Sequence, residues 1–400
     1  MDTPPVESKA PAPLRLGSID AYRGLVMFLL LAERLNIAAV AKKLPESPVW
    51  RFLHTQQEHV AWTGCVLHDL IQPSFSFLVG VALPFSIGNR RARGQSPEAM
   101  TGHAFLRAFI LVLLGIFLRS AGHTQTNFTF EDTLTQIGLG YGFLYLLALR
   151  SVRVQWVALG LILVGYWLAF ALWPLPDPGL NLAQVGVPPD FVGNRTGFLA
   201  HWNKNTNLAW AFDTWFLNLF PRAQPFLFNE GGYATLSFVP TLGTMVLGLI
   251  AGETLRSARP DWTKVRWFVI AGVAGLASGW LLGAVGVCPV VKRIWTPSWV
   301  LFSGGWCFLG LAFFYALIDV CDRRRWAFPL VVIGMNSIAA YVIDHQFPPF
   351  LRDSLQIHLG QRAFEVFGTV YAPFVLGVGV VGLMWLILYW MWRRKIFLRI

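Results

Sequence analysis

Long apolar stretches recur along the whole chain, and most of them approach the roughly 20 residues that a helix needs to cross a bilayer. Charged residues are scarce within these stretches and gather in the segments between them. The pattern predicts an all-α fold, a polytopic integral membrane helix bundle of about ten transmembrane helices. The predicted spans cover positions 25–41, 66–87, 105–118, 134–149, 156–173, 236–255, 268–287, 299–319, 329–345 and 370–392.

Lysine and arginine are unevenly distributed between the two sides of this predicted bundle. If the N-terminus lies in the cytoplasm, every connection on that side is short and basic, and every longer connection lies outside. Basic residues are retained on the cytoplasmic side of membranes. The sequence therefore predicts that both ends are cytoplasmic, and the net charge of +11 reflects this topology, with no nucleic-acid partner required.

Composition supports lipid as the main solvent of the fold. Hydrophobic residues make up 55% of the chain and charged residues only 13%, about half the share usual in soluble domains. Residues 1–14 are rich in proline and alanine and are predicted to form a disordered cytoplasmic tail. The remainder, 15–400, is predicted to be one transmembrane domain with a long outer loop at 174–235, whose first span is an uncleaved anchor.

Polar residues within the predicted spans share one depth, near the outer face. Ionisable groups inside a membrane are costly, so each is by default a candidate for function. Four separate spans place such groups at this level, which predicts a polar cavity that opens outward or a reaction site beneath the outer face. The residues concerned are Glu33, Arg34, Asn36, His59, His68, Asp69, Glu131, Asp132, Gln136, Asp344 and His345, with Asn336 nearer the middle of the ninth span.

Several of these residues could instead have purely structural roles. Glu33 and Arg34 are adjacent and could form an ion pair that offsets their own burial. His68 and Asp69 could form a local hydrogen-bonded pair at a helix start, and Asn336 could bridge two helices. His345 could simply lie among the outer headgroups.

Metal and disulfide chemistry find little support. His54, Glu58 and His59 read H-x-x-x-E-H, which would turn His59 about 100° away from the face shared by the other two, so no metal site is predicted. No phosphate-binding loop and no dinucleotide fingerprint occurs. Cys65 and Cys288 both fall near the outer face and could pair, although isolated membrane cysteines are the preferred interpretation.

The outer loop at 174–235 is long for a structureless connection, which points to a function. It contains amides beside aromatic rings, a combination that holds sugars through hydrogen bonds and stacking. The alternative is an interfacial cap over the bundle. The candidate sugar-binding residues in it are His201, Asn203 and Asn205.

Three segments resemble the heparan-α-glucosaminide N-acetyltransferase family. Positions 15–24 read R-L-x-S-I-D-x-x-R-G and are similar to the start of its first span. Positions 59–73 read H-x-x-W-x-G-x-x-x-x-D-L-x-x-P, which matches its second motif at the same spacing. Positions 334–341 read G-M-N-S-I-A-x-Y and resemble a later span. The likeness covers roughly 15–345, and the loop at 201–221 resembles the bacterial branch.

The resemblance implies a transmembrane acetyl transfer from cytoplasmic acetyl-CoA to a glucosamine-type amine on the outer side, in the bacterial inner membrane. His59 matches the family's proposed catalytic histidine and would act as an acetylated nucleophile or as a general base. Asp69 would orient a neighbouring group, and Asn336 would hold the thioester or its oxyanion. The resemblance also implies a homodimer.

Binding roles follow from the same comparison. Glu33, Asn36, Trp62 and Gln136 join the outer-loop residues as candidates for substrate binding. Arg90, Arg91, Arg93 and Arg107 have a topological role as the first interpretation, and binding of the CoA phosphates is the alternative. Glu33 to Asn36 departs from the family's aliphatic run leading to Asn, and positions 134–137 read L-T-Q-I where many relatives carry L-Q-R-I.

Two other classes of function compete with the enzyme. A sugar or amino-sugar transporter would use the same outer cavity without covalent chemistry, although no inverted repeat between the halves supports it. A structural membrane subunit would not need polar groups from four spans at one depth.

Overall fold

The computed structural model describes residues 16–398. Within this range the chain forms helices and connecting segments without a β-strand, so the predicted all-α fold is confirmed. The tail predicted at 1–14 lies outside the described residues. The α-helices are α1 Gly17–Leu31, α2 Ile37–Lys43, α3 Pro48–Gln57, α4 Ile71–Ala92, α5 Pro97–Ser120, α6 Thr133–Ala148, α7 Val152–Ala171, α8 Leu208–Phe216, α9 Phe238–Arg256, α10 Asp261–Ala284, α11 Pro297–Phe314, α12 Phe328–Gly334, α13 Ser337–Gln346, α14 Pro348–Leu359 and α15 Ala372–Arg393.

Seven helices in the described range are long and apolar enough to cross a membrane, and two bent helix pairs raise the count to nine. The fourth predicted span corresponds to α6, which is apolar but only 16 residues long. The predicted number of ten spans and the orientation stay predictions. Apolar side chains face outward along several of these helices, as Leu161 does at 70% exposure, which fits contact with lipid.

Two spans that the sequence predicts as continuous are broken. The first turns by 45° where a short 3₁₀ segment, Ala32–Leu35, joins α1 to α2. Asn36 sits at the bend with φ 54°, a left-handed conformation that asparagine tolerates better than most residues. The ninth span is likewise broken, with α12 and α13 meeting at 66°. Broken helices at membrane depth expose backbone polar groups and usually line cavities.

Close helix packing depends on glycine. A Cβ atom on Gly248 of α9 would overlap the carbonyl oxygen of Phe77 in α4, and one on Gly80 would overlap the carbonyl oxygen of Met245. The backbones of α4 and α9 therefore approach as closely as small residues permit. This contact buries α4, the helix that carries residues of both cavities described below.

Candidate active site

His59 lies in the segment between α3 and a short 3₁₀ turn, Leu67–Leu70, that leads into α4. An isolated antiparallel bridge between Thr63 and Val291 ties this segment to the one before α11. Arg293 reinforces the junction, since its guanidinium donates to the carbonyl oxygens of Val60 at 3.1 Å and Gly231 at 2.6 Å. Three connecting segments are thereby held together around the imidazole.

The carboxylate of Asp69 holds the imidazole of His59. Their Oδ1 and Nδ1 atoms lie 2.7 Å apart, and Asp69 is completely buried. The other oxygen of Asp69 accepts the backbone N–H of Val66 at 3.2 Å, which fixes the carboxylate. With Nδ1–H donating to Asp69, Nε2 carries the free lone pair, the tautomer that a general base or nucleophile requires. Burial lowers the pKa of His59, although Asp69 opposes this shift.

Lys292 is a buried third member of this group, and the sequence reasoning missed it. Its Nζ lies 3.1 Å from Nδ1 of His59 and 3.3 Å from Oδ1 of Asp69. Burial lowers the pKa of Lys292 to about 8, against the opposing effect of Asp69. A signal was present, because Lys292 and the adjacent Arg293 on the predicted outer side run against the charge bias of the chain.

A second imidazole–carboxylate pair lies beside the first. Nε2 of His68 is 3.0 Å from Oε1 of Glu33, and the rings of His59 and His68 are 4.6 Å apart. Glu33 comes from the 3₁₀ segment that breaks the first span. The predicted pairing of Glu33 with Arg34 is therefore wrong, as is the pairing of His68 with Asp69, because each partner bonds elsewhere.

Arg34 instead joins the two broken spans. Its guanidinium donates to both carboxylate oxygens of Asp344 in α13, each at 2.8 Å. Asp344 is 1% exposed. A two-point bond between planar groups fixes distance and orientation together, so the bend of the first span is held against the C-terminal part of α13, beside the cavity that His59 also lines.

These groups surround a cavity of about 500 Å³, which we call the His59 cavity. Its wall is polar and carries both signs of charge, a surface suited to a small hydrophilic molecule. Glu131 in the wall has its pKa raised by burial. The lining residues are Met27, Leu30, Glu33, Arg34, His59, His68, Ile71, Gln72, Phe75, Arg119, Glu131, Asp132, Thr133, Asn229, Gly231, Tyr233, Lys292, Tyr341, Asp344 and His345.

A second cavity of about 440 Å³ lies further along the same helices, and we call it the arginine cavity. Among its lining residues are Arg23, Arg90, Arg93 and Arg107. Arg107 stacks on Tyr141 and bonds its hydroxyl at 3.2 Å, while its Nε is buried without a partner in the described part of the chain. An unpartnered buried guanidinium nitrogen is a donor available to an anionic ligand.

The two cavities are stacked along the bundle. Each of the helices α1, α4, α5 and α13, with its flanking turn, contributes residues to both, and so does α6 with the segment before it. Phe75 of α4 lines both cavities and is 7% exposed. Its ring therefore lies at the boundary between the polar His59 cavity and the arginine cavity.

Several predicted binding residues support the structure and line neither cavity. The side chain of Asn203 bonds the backbone of Arg195, and that of Asn205 bonds the carbonyl oxygens of Val185 and Asn229. The outer-loop amides are thus used by the loop itself, which corrects the sugar-binding prediction for them. His201 packs against aromatic rings in the same loop.

Three other predicted binding residues are also structural. Trp62 is buried and donates its indole N–H to the carbonyl of Trp202 at 3.0 Å. Gln136 donates to the carbonyls of Phe130 and Thr235, which fastens α6 to the outer loop. Asn36 is exposed at the bend of the first span and outside the cavity linings. Of the substrate-binding predictions, Glu33 is the residue that lines the His59 cavity.

The predicted catalytic and cofactor-binding residues also divide into some at the cavities and some that support the fold. His59 and Asp69 are in contact, but Asn336 lies at the break between α12 and α13 and lines neither cavity. Its amide bonds the backbone of Ile396 at 2.9 Å and of Leu398 at 3.2 Å, so it holds the C-terminal segment against the arginine cavity. The predicted oxyanion role therefore has no support at the His59 end.

Among the arginines considered for CoA, Arg90, Arg93 and Arg107 line the arginine cavity. Arg91 is exposed and is not part of the lining. The cysteines within the described residues are all free, so Cys65 and Cys288 do not pair here.

The chain is similar to heparan-alpha-glucosaminide N-acetyltransferases. It is 24% identical over 431 residues to the protein from Homo sapiens, with 97% of this chain and 60% of the human protein covered. It is 22% identical over 391 residues to the protein from Mus musculus, with 86% and 56% covered. No protein-family model matches the chain.

The resemblance predicted from the motifs is thus confirmed, and the chain spans about 60% of the length of the human relative. The bacterial branch is not addressed by these relatives. Together with seven long apolar helices, the similarity indicates an integral membrane protein.

Proposed function

We propose that the protein is a membrane acetyltransferase that uses acetyl-CoA as donor and an amino sugar of the glucosamine type as acceptor. The observation that carries the proposal is the stacking of two cavities, one basic and one polar, with His59 in the wall of the second and Asp69 bonded behind it. An acyltransferase needs separate approaches for donor and acceptor that meet at one base or nucleophile. The similarity to curated N-acetyltransferases supports the same reaction class.

The arginine cavity fits the charged end of the donor. Four arginines line it, and the orphaned Nε of Arg107 provides a donor for a phosphate oxygen. The acyl end would lie toward Phe75 and the His59 cavity. In the predicted topology this cavity opens to the cytoplasm and the His59 cavity to the outer side, so acetyl would cross the membrane plane during the reaction.

His59 would carry the chemistry through Nε2. Because Asp69 holds the Nδ1 proton, Nε2 can accept a proton from the attacking amine or attack the acetyl carbon itself. Lys292 lies beside both groups and stabilises the charge of Asp69. Arg34 and Asp344 keep the two broken spans in register around the cavity.

The acceptor is proposed from the wall of the His59 cavity. Glu33, Glu131 and Asp132 offer carboxylates to an ammonium group, while Asn229 and Tyr233 offer hydrogen bonds to hydroxyls. We propose the bacterial inner membrane as the location and a homodimer as the assembly, both from the family resemblance.

The test is transfer of labelled acetyl from acetyl-CoA to glucosamine by purified protein in liposomes. We expect label on the sugar with wild type and with His54→Ala, a control histidine on α3 outside both cavities, and none with His59→Ala. Folding of each variant is checked by size-exclusion profile and melting in detergent. A folded His59→Ala protein that transfers label would overturn the assignment of this residue.

The competing transport function predicts a different result. Wild type would then move labelled glucosamine into liposomes without acetyl-CoA and would acetylate nothing. If uptake occurs and acetylation does not, the acetyltransferase proposal fails.

A further inference from the structure

The His59 cavity contains a second imidazole–carboxylate pair, and the acetyl transfer as derived above does not use it. His68 and Glu33 are 3.0 Å apart, and both line the cavity. Glu33 bonds His68 and also feels the charges of Arg34 and His59. The side chain of His68 is 10% exposed and that of Glu33 is 34% exposed, so the pair connects a shielded ring to cavity water.

The geometry repeats that of His59 and Asp69. In both pairs one ring nitrogen faces a carboxylate, which orients the ring and stabilises its protonated form. The two rings lie 4.6 Å apart at their centres, close enough to contact one small molecule together. Among the described residues, Nδ1 of His68 makes no hydrogen bond, which leaves it available to a ligand.

An amine acceptor has to lose two protons during acetylation. It arrives at neutral pH largely as an ammonium, which has no lone pair for attack on a carbonyl. One proton must leave before the C–N bond forms and another afterwards. The group that takes the second proton is His59, and no group is yet assigned to the first.

We propose that His68, oriented by Glu33, is a second catalytic base that takes the first proton from the ammonium of the acceptor. This inference rests on the proposed acetyltransferase function. The ammonium proton moves to Nδ1 of His68, and the nitrogen lone pair then attacks the acetyl carbon. The C–N bond forms, the C–S bond breaks, and its electron pair goes to sulfur.

The proton balance then closes. His59 accepts the second proton of the nitrogen and returns it to the thiolate, which leaves as the thiol. His68 releases the first proton to cavity water by way of Glu33, so one ammonium and one thioester give one amide, one thiol and one proton. If acetyl first resides on Nε2 of His59, the step at His68 is unchanged.

The test compares wild type, His68→Asn, Glu33→Gln and His54→Asn at pH 6 and pH 9 with glucosamine. His54 is the matched control because it also faces a glutamate, Glu58, at 3.2 Å on the surface of α3. We expect His68→Asn to reduce kcat/KM about 100-fold at pH 6, the size usual for a general base. At pH 9 the acceptor arrives neutral, and the loss should shrink to less than about 5-fold by the same argument.

Other groups that titrate near His68 are present in both proteins, so their effects cancel in the ratio of wild type to variant. The charged and titratable groups that share the cavity wall with His68 are Glu33, Arg34, His59, Arg119, Glu131, Asp132, Tyr233, Lys292, Tyr341, Asp344 and His345. Hydroxylamine, an acceptor that is largely neutral at pH 7, adds a second readout. Its acetylation should be nearly insensitive to His68→Asn if the ring removes an ammonium proton.

A loss of equal size at both pH values and with both acceptors would show that His68 is structural, and an unchanged rate would exclude any role. If His68→Asn does not fold, Glu33→Gln is judged by the same two comparisons, with a smaller expected loss of about 10-fold at pH 6. Failure of wild type to acetylate either acceptor refutes the proposed function instead. If wild type is active but the loss caused by the substitutions is the same at both pH values, this inference alone is refuted.

Discussion

Replacement of Asp69 by asparagine tests the core of the site, because it replaces one carboxylate oxygen with an NH₂ group and changes little else. The carboxylate is completely buried and faces three kinds of donor: Nδ1 of His59, Nζ of Lys292 and the backbone N–H of Val66. An amide keeps one acceptor oxygen and places an NH₂ group against donors. Whichever way it turns, at least one donor faces another donor.

The expected loss of stability is large. Removing one partner of a buried charge pair usually costs about 3–5 kcal/mol, since the remaining charge is left without compensation. Here that charge belongs to Lys292, whose side chain is 5% exposed. Activity should fall by about 10³–10⁴-fold, because the imidazole loses the group that holds its tautomer.

Unfolding in detergent, followed by tryptophan fluorescence, measures the first effect, and the acetyl-transfer assay measures the second. The double variant Asp69→Asn with Lys292→Met removes both charges and should recover about 1–3 kcal/mol of the loss. It should stay inactive, because His59 still lacks its partner. Asp353→Asn is the surface control, since Asp353 pairs with Arg352 in exposed positions at 3.2 Å.

The reasoning is refuted if the Asp69→Asn variant melts like wild type and retains activity. A double variant that is less stable than Asp69→Asn would also contradict it, because the stability loss would then not come from an uncompensated lysine.

Three further predictions concern packing, titration and the boundary between the cavities. Gly248→Ala should lower the free energy of unfolding by about 1–3 kcal/mol, because the new Cβ atom meets the carbonyl of Phe77. Gly165 has open space around it, so Gly165→Ala should not destabilise the protein in the same melting assay. Burial raises the pKa of Asp213 in the outer loop to about 7. Wild-type stability should therefore fall as pH rises from about 4 to 7. If the melting temperature of Asp213→Asn falls with pH as steeply as that of wild type, this prediction is contradicted. Phe75→Ala should join the cavities and raise hydrolysis of acetyl-CoA without acceptor, measured as thiol release; an unchanged rate would remove Phe75 from its role as a wall.

Hydrophobic periodicity was sufficient for the fold class because each span has to satisfy its backbone within itself. It could not reveal the breaks at Asn36 and at Asn336. A bend of 45° leaves the apolar run on both sides intact, so a hydropathy window reads one span where the structure has two helices. A long-range contact holds the first bend: Arg34, two positions before Asn36, bonds Asp344, which is 310 positions away.

The motif around His59 placed the imidazole and its carboxylate correctly because their spacing is local. Asp69 follows His59 by ten positions, and one turn of chain brings them together. Lys292 is 233 positions away and reaches the site through the bridge at Thr63. No periodicity in a single chain encodes such a contact.

The outer-loop amides show the opposite error. Amides beside aromatic rings were interpreted as a sugar site, but a long connection has backbone groups of its own to satisfy. The side chains of Asn203, Asn205 and Asn207 bond backbone groups of the loop. The loop contributes Asn229 and Tyr233 to the His59 cavity instead.

The breaks in the helices and the location of the site have one physical cause. Polar backbone at membrane depth is tolerated where it lines a cavity, and charged side chains there need partners that cross between helices. The bend after Leu31 places Glu33 and Arg34 toward two different partners, His68 and Asp344, rather than toward each other. A straight first span would carry the same residues on successive positions about 100° apart and could not serve both. The irregular segment is therefore what assembles a polar chamber inside an apolar bundle.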